Sequence, residues 1–434
     1  MKKIMMFCIG ILLTFSLMSC KNSHDNYRIK DAEEKITLSY SQTSNEEFKN
    51  FKEKVELFSA NLTSKVYKKS KDNYVISPIS IYMALAMAIE CANNETRDEM
   101  LNAVGVTYEE VINYTSYIYS CMNNEYTAHG LFDESKVTAF SKLSNSIWID
   151  DNIELKQTGL DSLSKNYNAD SYYVPFKNNN RKANKALSDY LNEKTKGLID
   201  GNLNLDSETI FVLVNTYYLK EIWNYYGNDL SFTAEKYNFT NYDSSTTNLK
   251  LLMGYYNNGK AYEEDTFSHF FTKTEHNYTI NFIVPKEGYS VDDIFTYENL
   301  KTIKNADYLE VDHERKENNH TRCFFPEFKG GFDDDIKSVL IEDFGINSLF
   351  NQYSCDFSNL TEEAYCTGVI HKCSLTVNKK GIEGAAVTAI PGAGAPGPGE
   401  YVDVYYDFIV DRAFGFTITD RYGFTVFAGV IKNI

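Results

Sequence analysis

Catalysis would have to show in nucleophiles, metal ligands or phosphate cradles, and in this 434-residue chain their spacings fail. His313-Glu314 begins like a helical zinc site, but His320 follows at the wrong interval for H-E-x-x-H, and no G-x-S-x-G elbow occurs. Gly254 to Ala261, GYYNNGKA, has the spacing of a phosphate-binding loop. It fails at Ala261, where a hydroxyl should hold a metal ion, and Asn-Asn-Gly between tyrosines reads as a hairpin turn. No close C-x-x-C pair occurs, so neither a metal nor a cofactor is expected, and the chain is not read as an enzyme. What remains is chemistry done to the chain by something else. From Pro391 to Gly399 there is only Pro, Gly and Ala. A stretch this poor in side chains cannot order itself by burial and should stand out as an exposed, cleavable loop.

The residues before it read differently. Lys372 to Val377 alternate as on a half-buried strand, and Gly381 to Ala389 are small residues around one charge, Glu383. If that second stretch were extended, Ile382, Gly384, Ala386, Thr388 and Ile390 would share one face. Glu383, Ala385, Val387 and Ala389 would share the other, a pattern that could slot between existing strands. The segment is suited to life both as loop and as strand.

The rest of the chain must position it. With 43% hydrophobic residues the chain can build one large domain or two ordinary ones, and 15% aromatics favour a strand-rich core. A net charge of -17 argues against nucleic acid as a partner. Lys2 and Lys3 precede an apolar run from Ile4 to Met18, too short for a permanent span and built like a secretory signal. It ends Leu17-Met18-Ser19-Cys20, which resembles the bacterial lipobox and implies that Cys20 becomes the lipidated first residue. Lys21 rather than Asp follows, which by the same resemblance points to the outer membrane. The expected layout is a signal peptide at 1–19, a polar lipidated tether at 20–44 without periodicity, and one folded domain at 45–434. Export permits disulfides, but the six remaining cysteines (91, 121, 323, 355, 366 and 373) are read as buried free thiols.

Phe48, Phe51, Val55, Phe58, Leu62 and Val66 recur at three- and four-residue steps and predict an amphipathic helix. Ser77 is placed as an N-cap with Pro78 at the first helical position, Asn93 and Asn94 break that helix, and Thr96 is expected to cap the next. Thr209 to Trp223, TIFVLVNTYYLKEIW, is an apolar run broken by Asn215, as for a strand buried on both faces whose polar side chain must find partners. Phe408 to Ile431 contains two strands around a turn through Asp420 to Gly423.

The Ser77-Pro78-Ile79-Ser80 helix with T-x-x-E-M after it, the helix ending T-x-G-x-I at Ile199, and V-N-x-x-Y-x-K-x-x-W from Val214 to Trp223 resemble the serpin family. So do Phe324 to Phe350 and Asp411-Arg412-Ala413-Phe414, where Ala413 replaces the family's proline. The resemblance runs from about residue 45 to the end. It implies one α+β domain with three β-sheets, about nine helices and an exposed reactive-centre loop. It also implies a monomer that traps an endopeptidase: once cut, the loop enters the main sheet as a new strand and carries the acylated protease with it.

The same resemblance assigns roles. Ser77, Ser80, Asn215 and His371 match a polar cluster where the sheet parts; Ser188 stands where the family usually has Asn. Trp223 matches the tryptophan near the point where the loop enters the sheet, and Gly381 the hinge glycine. The hinge, Gly381-Ile382-Glu383-Gly384-Ala385-Ala386-Val387-Thr388, departs from the inhibitory pattern in its two preceding lysines and in Ile382, but keeps its small residues. Pro391 is a liability inside a central strand. The family's spacing places the scissile bond at Ala395-Pro396. Proline there would obstruct most proteases, so Ala393-Gly394 and Gly394-Ala395 are equal candidates. Small residues imply an elastase-like, subtilisin-like or papain-like target. The competing expectation is a serpin-fold binding or structural lipoprotein whose loop never inserts.

Overall fold

The computed structural model describes residues 23–434 except 69, 71, 130–134, 200–204, 224–228, 305, 307–310, 313–316, 363 and 383–401. Cys20, Glu383 to Thr388 and Ala393 to Pro396 therefore lie outside the described residues. The first and largest sheet has the order β1 (Arg28–Lys30), β5 (Ala169–Val174), β4 (Ser135–Asp150), β6 (Phe211–Ile222), β17 (Gly381–Ile382), β16 (Ile370–Asn378) and β15 (Phe328–Asp335), with β3 (Asn124–His129) on β4. The second is β10 (Tyr262–Glu263), β11 (Phe267–Lys273), β12 (Thr279–Pro285), β19 (Phe414–Thr419), β20 (Thr425–Ile431) and β2 (Tyr74–Ile76). In the third, β14 (Glu317–Phe325) pairs antiparallel with β13 (Val311–Asp312) and β9 (Leu252–Asn258) and parallel with β18 (Val402–Ile409). Beyond the three expected sheets, β7 (Tyr237–Thr240) and β8 (Thr246–Leu249) form a separate hairpin.

The helices are α1 (Tyr40–Thr43), α2 (Glu46–Tyr67), α3 (Pro78–Cys91), α4 (Asn94–Val104), α5 (Tyr108–Met122), α6 (Gln157–Tyr167), α7 (Phe176–Lys194), α8 (Val291–Ile294), α9 (Tyr297–Lys304) and α10 (Lys337–Phe344). The predicted stripe on α2 is buried from Phe48 to Val66, and α3 is buried along its whole length. This gives one core between the two larger sheets. The opposite face of the first sheet carries α7, whose Ala183, Leu187 and Tyr190 pack on Trp148, Tyr172, Val212 and Val214.

Three local expectations are corrected. Thr96 lies inside α4, which starts earlier behind Asn93; its hydroxyl instead accepts the Asp356 N–H at 3.0 Å. Gly254 to Asn258 belong to strand β9, which runs into Gly259, and β9 and β10 lie in different sheets, so the expected hairpin turn at Asn-Asn-Gly is instead the end of a strand. Residues 23–35, expected to be a free tether, lie along the edge of the large sheet. There β1 pairs with β5, His24 is buried between the rings of Tyr172 and Tyr190, and Ala32 N–H donates to Asp170 Oδ1 at 2.9 Å. The physical reason is that a polar segment needs no apolar periodicity to dock when a sheet edge supplies its hydrogen bonds.

Candidate functional site

The residues assigned to the hinge begin at the turn that leaves β16. Asn378 and Gly381 face each other across it, so β17 folds back antiparallel onto β16 and also pairs antiparallel with β6. Gly381 has a left-handed φ of 149°, and a β-carbon there would overlap the Glu221 carbonyl oxygen. Only glycine fits such an approach without strain. Ile382 is fully buried in the main core.

The turn is held from several sides. Trp223 Nε1 donates to the Asn378 carbonyl at 2.7 Å, and Leu230 N–H to the Lys379 carbonyl at 2.7 Å. Lys379 N–H donates to Glu327 Oε1 at 2.9 Å and Lys380 N–H to Asn378 Oδ1 at 2.8 Å. Beneath Gly381, the Glu221 carboxylate is almost wholly buried and meets the His276 ring at 2.7 Å. His276 in turn stacks on Tyr126, with ring centroids 3.8 Å apart.

Below Ile382 the sheet has a seam. β6 and β16 share β17 as a neighbour, and among the described residues no ladder joins them directly. Two small cavities lie along this line, one lined by Tyr217, Leu219 and Leu375, the other by Val214, Asn215, Thr216 and Lys372.

At the lower end of the seam stands the polar cluster. Ser77 N–H donates to His371 Nε2 at 3.1 Å, and Ser80 Oγ to Ser77 Oγ at 3.0 Å. Burial pushes the His371 imidazole down to about 4, so it is neutral and can accept through Nε2. Ser77 is the N-cap of α3 by position, but its hydroxyl makes no capping bond. Asn215 lies directly opposite Asn145 in the β4–β6 ladder and donates to it, while Asn145 Nδ2 donates to the Tyr167 carbonyl at 2.6 Å. Asn145 and Tyr167 were missed by sequence reasoning. Asn145 gave little signal, because it stands between Ser144 and Ser146 in a strand that also carries Ser141 and Lys142.

Ser188 is not brought to this cluster. It is half-buried on α7, which covers the face of the sheet away from Ser77 and α3. The six cysteines are free thiols, all buried except the half-buried Cys355. Burial raises Cys355 and Cys366 to about 12, which keeps them protonated and unreactive. Among the described residues no His, Cys, Asp and Glu cluster is placed to hold a metal ion.

A buried neutral histidine, paired asparagines and a two-residue strand thus lie along one seam of the first sheet. Comparison with known proteins agrees with this geometry. The profile of the serpin (serine protease inhibitor) family matches residues 53–434. Corticosteroid-binding globulin of Ovis aries is 27% identical over 75% of this chain and 73% of its own. Iripin-1 of Ixodes ricinus is 26% identical over 87% and 93%. The native state of tengpin, a thermophilic serpin, superposes with a TM-score of 0.69 at 23% identity, covering 95% of this chain and 99% of its own. The chain belongs to the serpin family.

Proposed function

We propose that this protein is a suicide inhibitor of endopeptidases, held at the outer membrane by lipid on Cys20. The observation that carries this reading is the register of β17. Ile382 faces Val377 on one side and Glu221 on the other. Continued down the seam, that register sets Gly384 between Leu375 and Leu219, Ala386 between Cys373 and Tyr217, and Thr388 between His371 and Asn215. The small residues thus meet the bulky core positions, and the one hydroxyl meets the polar cluster. Glu383 falls on the other face, beside Lys220.

Insertion to Ile390 adds on the order of ten backbone hydrogen bonds at about 1 kcal/mol each, plus buried side chains. The uncut loop, fixed at Ile382 and at Val402, is barred from that gain, so the native fold is held kinetically. Pro391 is a smaller liability in this register. β16 begins at Ile370, opposite Ala389, so the proline lies past the end of that ladder, while on the other side it falls opposite Val212 near the start of β6 and forfeits at most one bond there.

Cleavage is assigned to the Ala393 to Pro396 segment by a protease with a shallow pocket, elastase-like, subtilisin-like or papain-like. Incubation with a panel of such proteases tests the reading. A covalent complex that survives denaturing electrophoresis supports it, and cleavage without trapping contradicts it.

One observation favours a second reading. A cavity of about 420 Å³ lies between α2, α9 and the second sheet, lined among others by Lys52, Glu56, Phe271, Lys273 and Leu300. A non-inhibitory binding protein would use such a cavity, as the likeness to a corticosteroid-binding globulin suggests. Its loop would be cut without a gain in heat stability.

A further inference from the structure

The first described residue, Ser23, is fixed to the outer flank of α7: its hydroxyl donates to Asp189, and His24 beside it is buried against Tyr190. Cys20 is three residues upstream, a reach of about 10 Å at full extension. A lipid on Cys20 would therefore emerge beside α7 and not at the end of a long tether.

That flank differs from the rest of an acidic chain. From Phe176 to Gly197 the acids are Asp189 and Glu193, against six basic residues. Arg181, Lys182 and Lys185 are all exposed on the side of α7 opposite its buried Ala183, Leu187 and Tyr190. Lys177, before the kink at Asn179, and Lys196, just past the helix end, are exposed at either side of a helical stretch that from Arg181 to Lys194 is about 20 Å long. Lys185 shares Asp189 at 2.8 Å, while Lys177, Arg181, Lys182 and Lys196 form no ion pair with another described residue. Basic residues that stay unpaired in a molecule of net charge -17 are an unneutralised patch, and it lies where the lipid must leave.

We infer that the exposed face of α7 docks on the anionic headgroup layer of the membrane to which the chain is anchored. This rests on the lipid-anchor reading above. The lipid supplies attachment and the basic face supplies orientation, since a single point of attachment leaves rotation free. The protein then lies with α7 toward the bilayer, and the third sheet is left accessible.

Amine footprinting tests this without altering the fold. The mature chain is coupled through Cys20 to a maleimide lipid, which supplies the anchor whether or not the cell acylates that residue. It is bound to vesicles of phosphatidylcholine alone or mixed with phosphatidylglycerol and treated with a membrane-impermeant acetylating reagent. Lys177, Lys182 and Lys185 are expected to react several-fold more slowly on the anionic vesicles, with high salt removing the difference. Lys236 and Lys250, exposed on or beside the β7–β8 hairpin, should react equally on both. The double variant Arg181→Glu, Lys182→Glu should lose the protection of Lys177 and Lys185. Equal reaction of the α7 lysines on both vesicles overturns the inference. So does protection by a soluble sulfated polysaccharide but not by anionic vesicles, which would assign the face to a polyanion. Mass spectrometry of the cell-made protein without acyl chains on Cys20 would instead defeat the anchor reading alone.

Discussion

Gly381 crosses the Glu221 peptide so closely that a β-carbon on the glycine would overlap the Glu221 carbonyl oxygen. Gly381 and Ile382 are therefore already paired between β6 and β16, and Ile382 is buried. Gly381→Ala combines this overlap with a left-handed backbone, a penalty of about 1–3 kcal/mol. The variant should release β17, slow insertion and shift the outcome with a target protease from trapped complex to cut product. Densitometry of the two bands checks this.

The register of β17 separates neighbouring loop positions by face. Ala386→Arg places a charge against Tyr217 and Cys373 in the core, which costs several kcal/mol. It should convert an inhibitor into a substrate. Glu383→Gln, on the other face beside Lys220, should leave the trapped fraction within about twofold of wild type, the usual range for an exposed pair. Titration of protease activity with each variant gives the number of molecules consumed per enzyme trapped.

His371 ties stability to pH. Its folded value of about 4 is below the ordinary 6.5 because burial disfavours the charged ring. The unfolded chain then binds more protons between these values, so stability is full above about pH 6.5 and falls as pH drops toward 4. The slope from one such group is at most about 1.4 kcal/mol per pH unit. His269 and His24 are also lowered by burial and add the same sign. His371→Gln keeps an acceptor for Ser77 N–H and removes one group's share. Urea midpoints from pH 7 to pH 5 should fall less steeply in the variant than in wild type.

The N-terminal segment should behave as part of the fold. His24→Ala empties a site between Tyr172 and Tyr190 and should lower stability by roughly 1–3 kcal/mol, read as a shift in melting temperature. Limited proteolysis should leave residues 23–35 uncut while the loop at 383–401 is nicked.

Much of the fold was legible because its signals are local. The stripe on α2, the cap position of Ser77 and the interrupted strand around Asn215 each follow from spacing within a few residues. Gly381 and Trp223 could be placed by resemblance, and the structure joins them through Asn378. Asn145 escaped because its partner is in a different strand, far away in sequence. The docking of residues 23–35 escaped for a related reason: Asp31, Glu33 and Ala32 bond through their backbone, which leaves no pattern of side chains to read. Ser188 was misplaced relative to the polar cluster because helix α7 and strand β6, though close in sequence, lie on different layers.

The claim on which the inhibitory reading depends is that a severed loop becomes a strand between β6 and β16. The direct measurement is the melting temperature before and after a single nick between Pro391 and Gly399. Ten added hydrogen bonds with their buried side chains should raise it by roughly 10 °C or more in a chain of this size. An unchanged or lower value after complete nicking would contradict insertion.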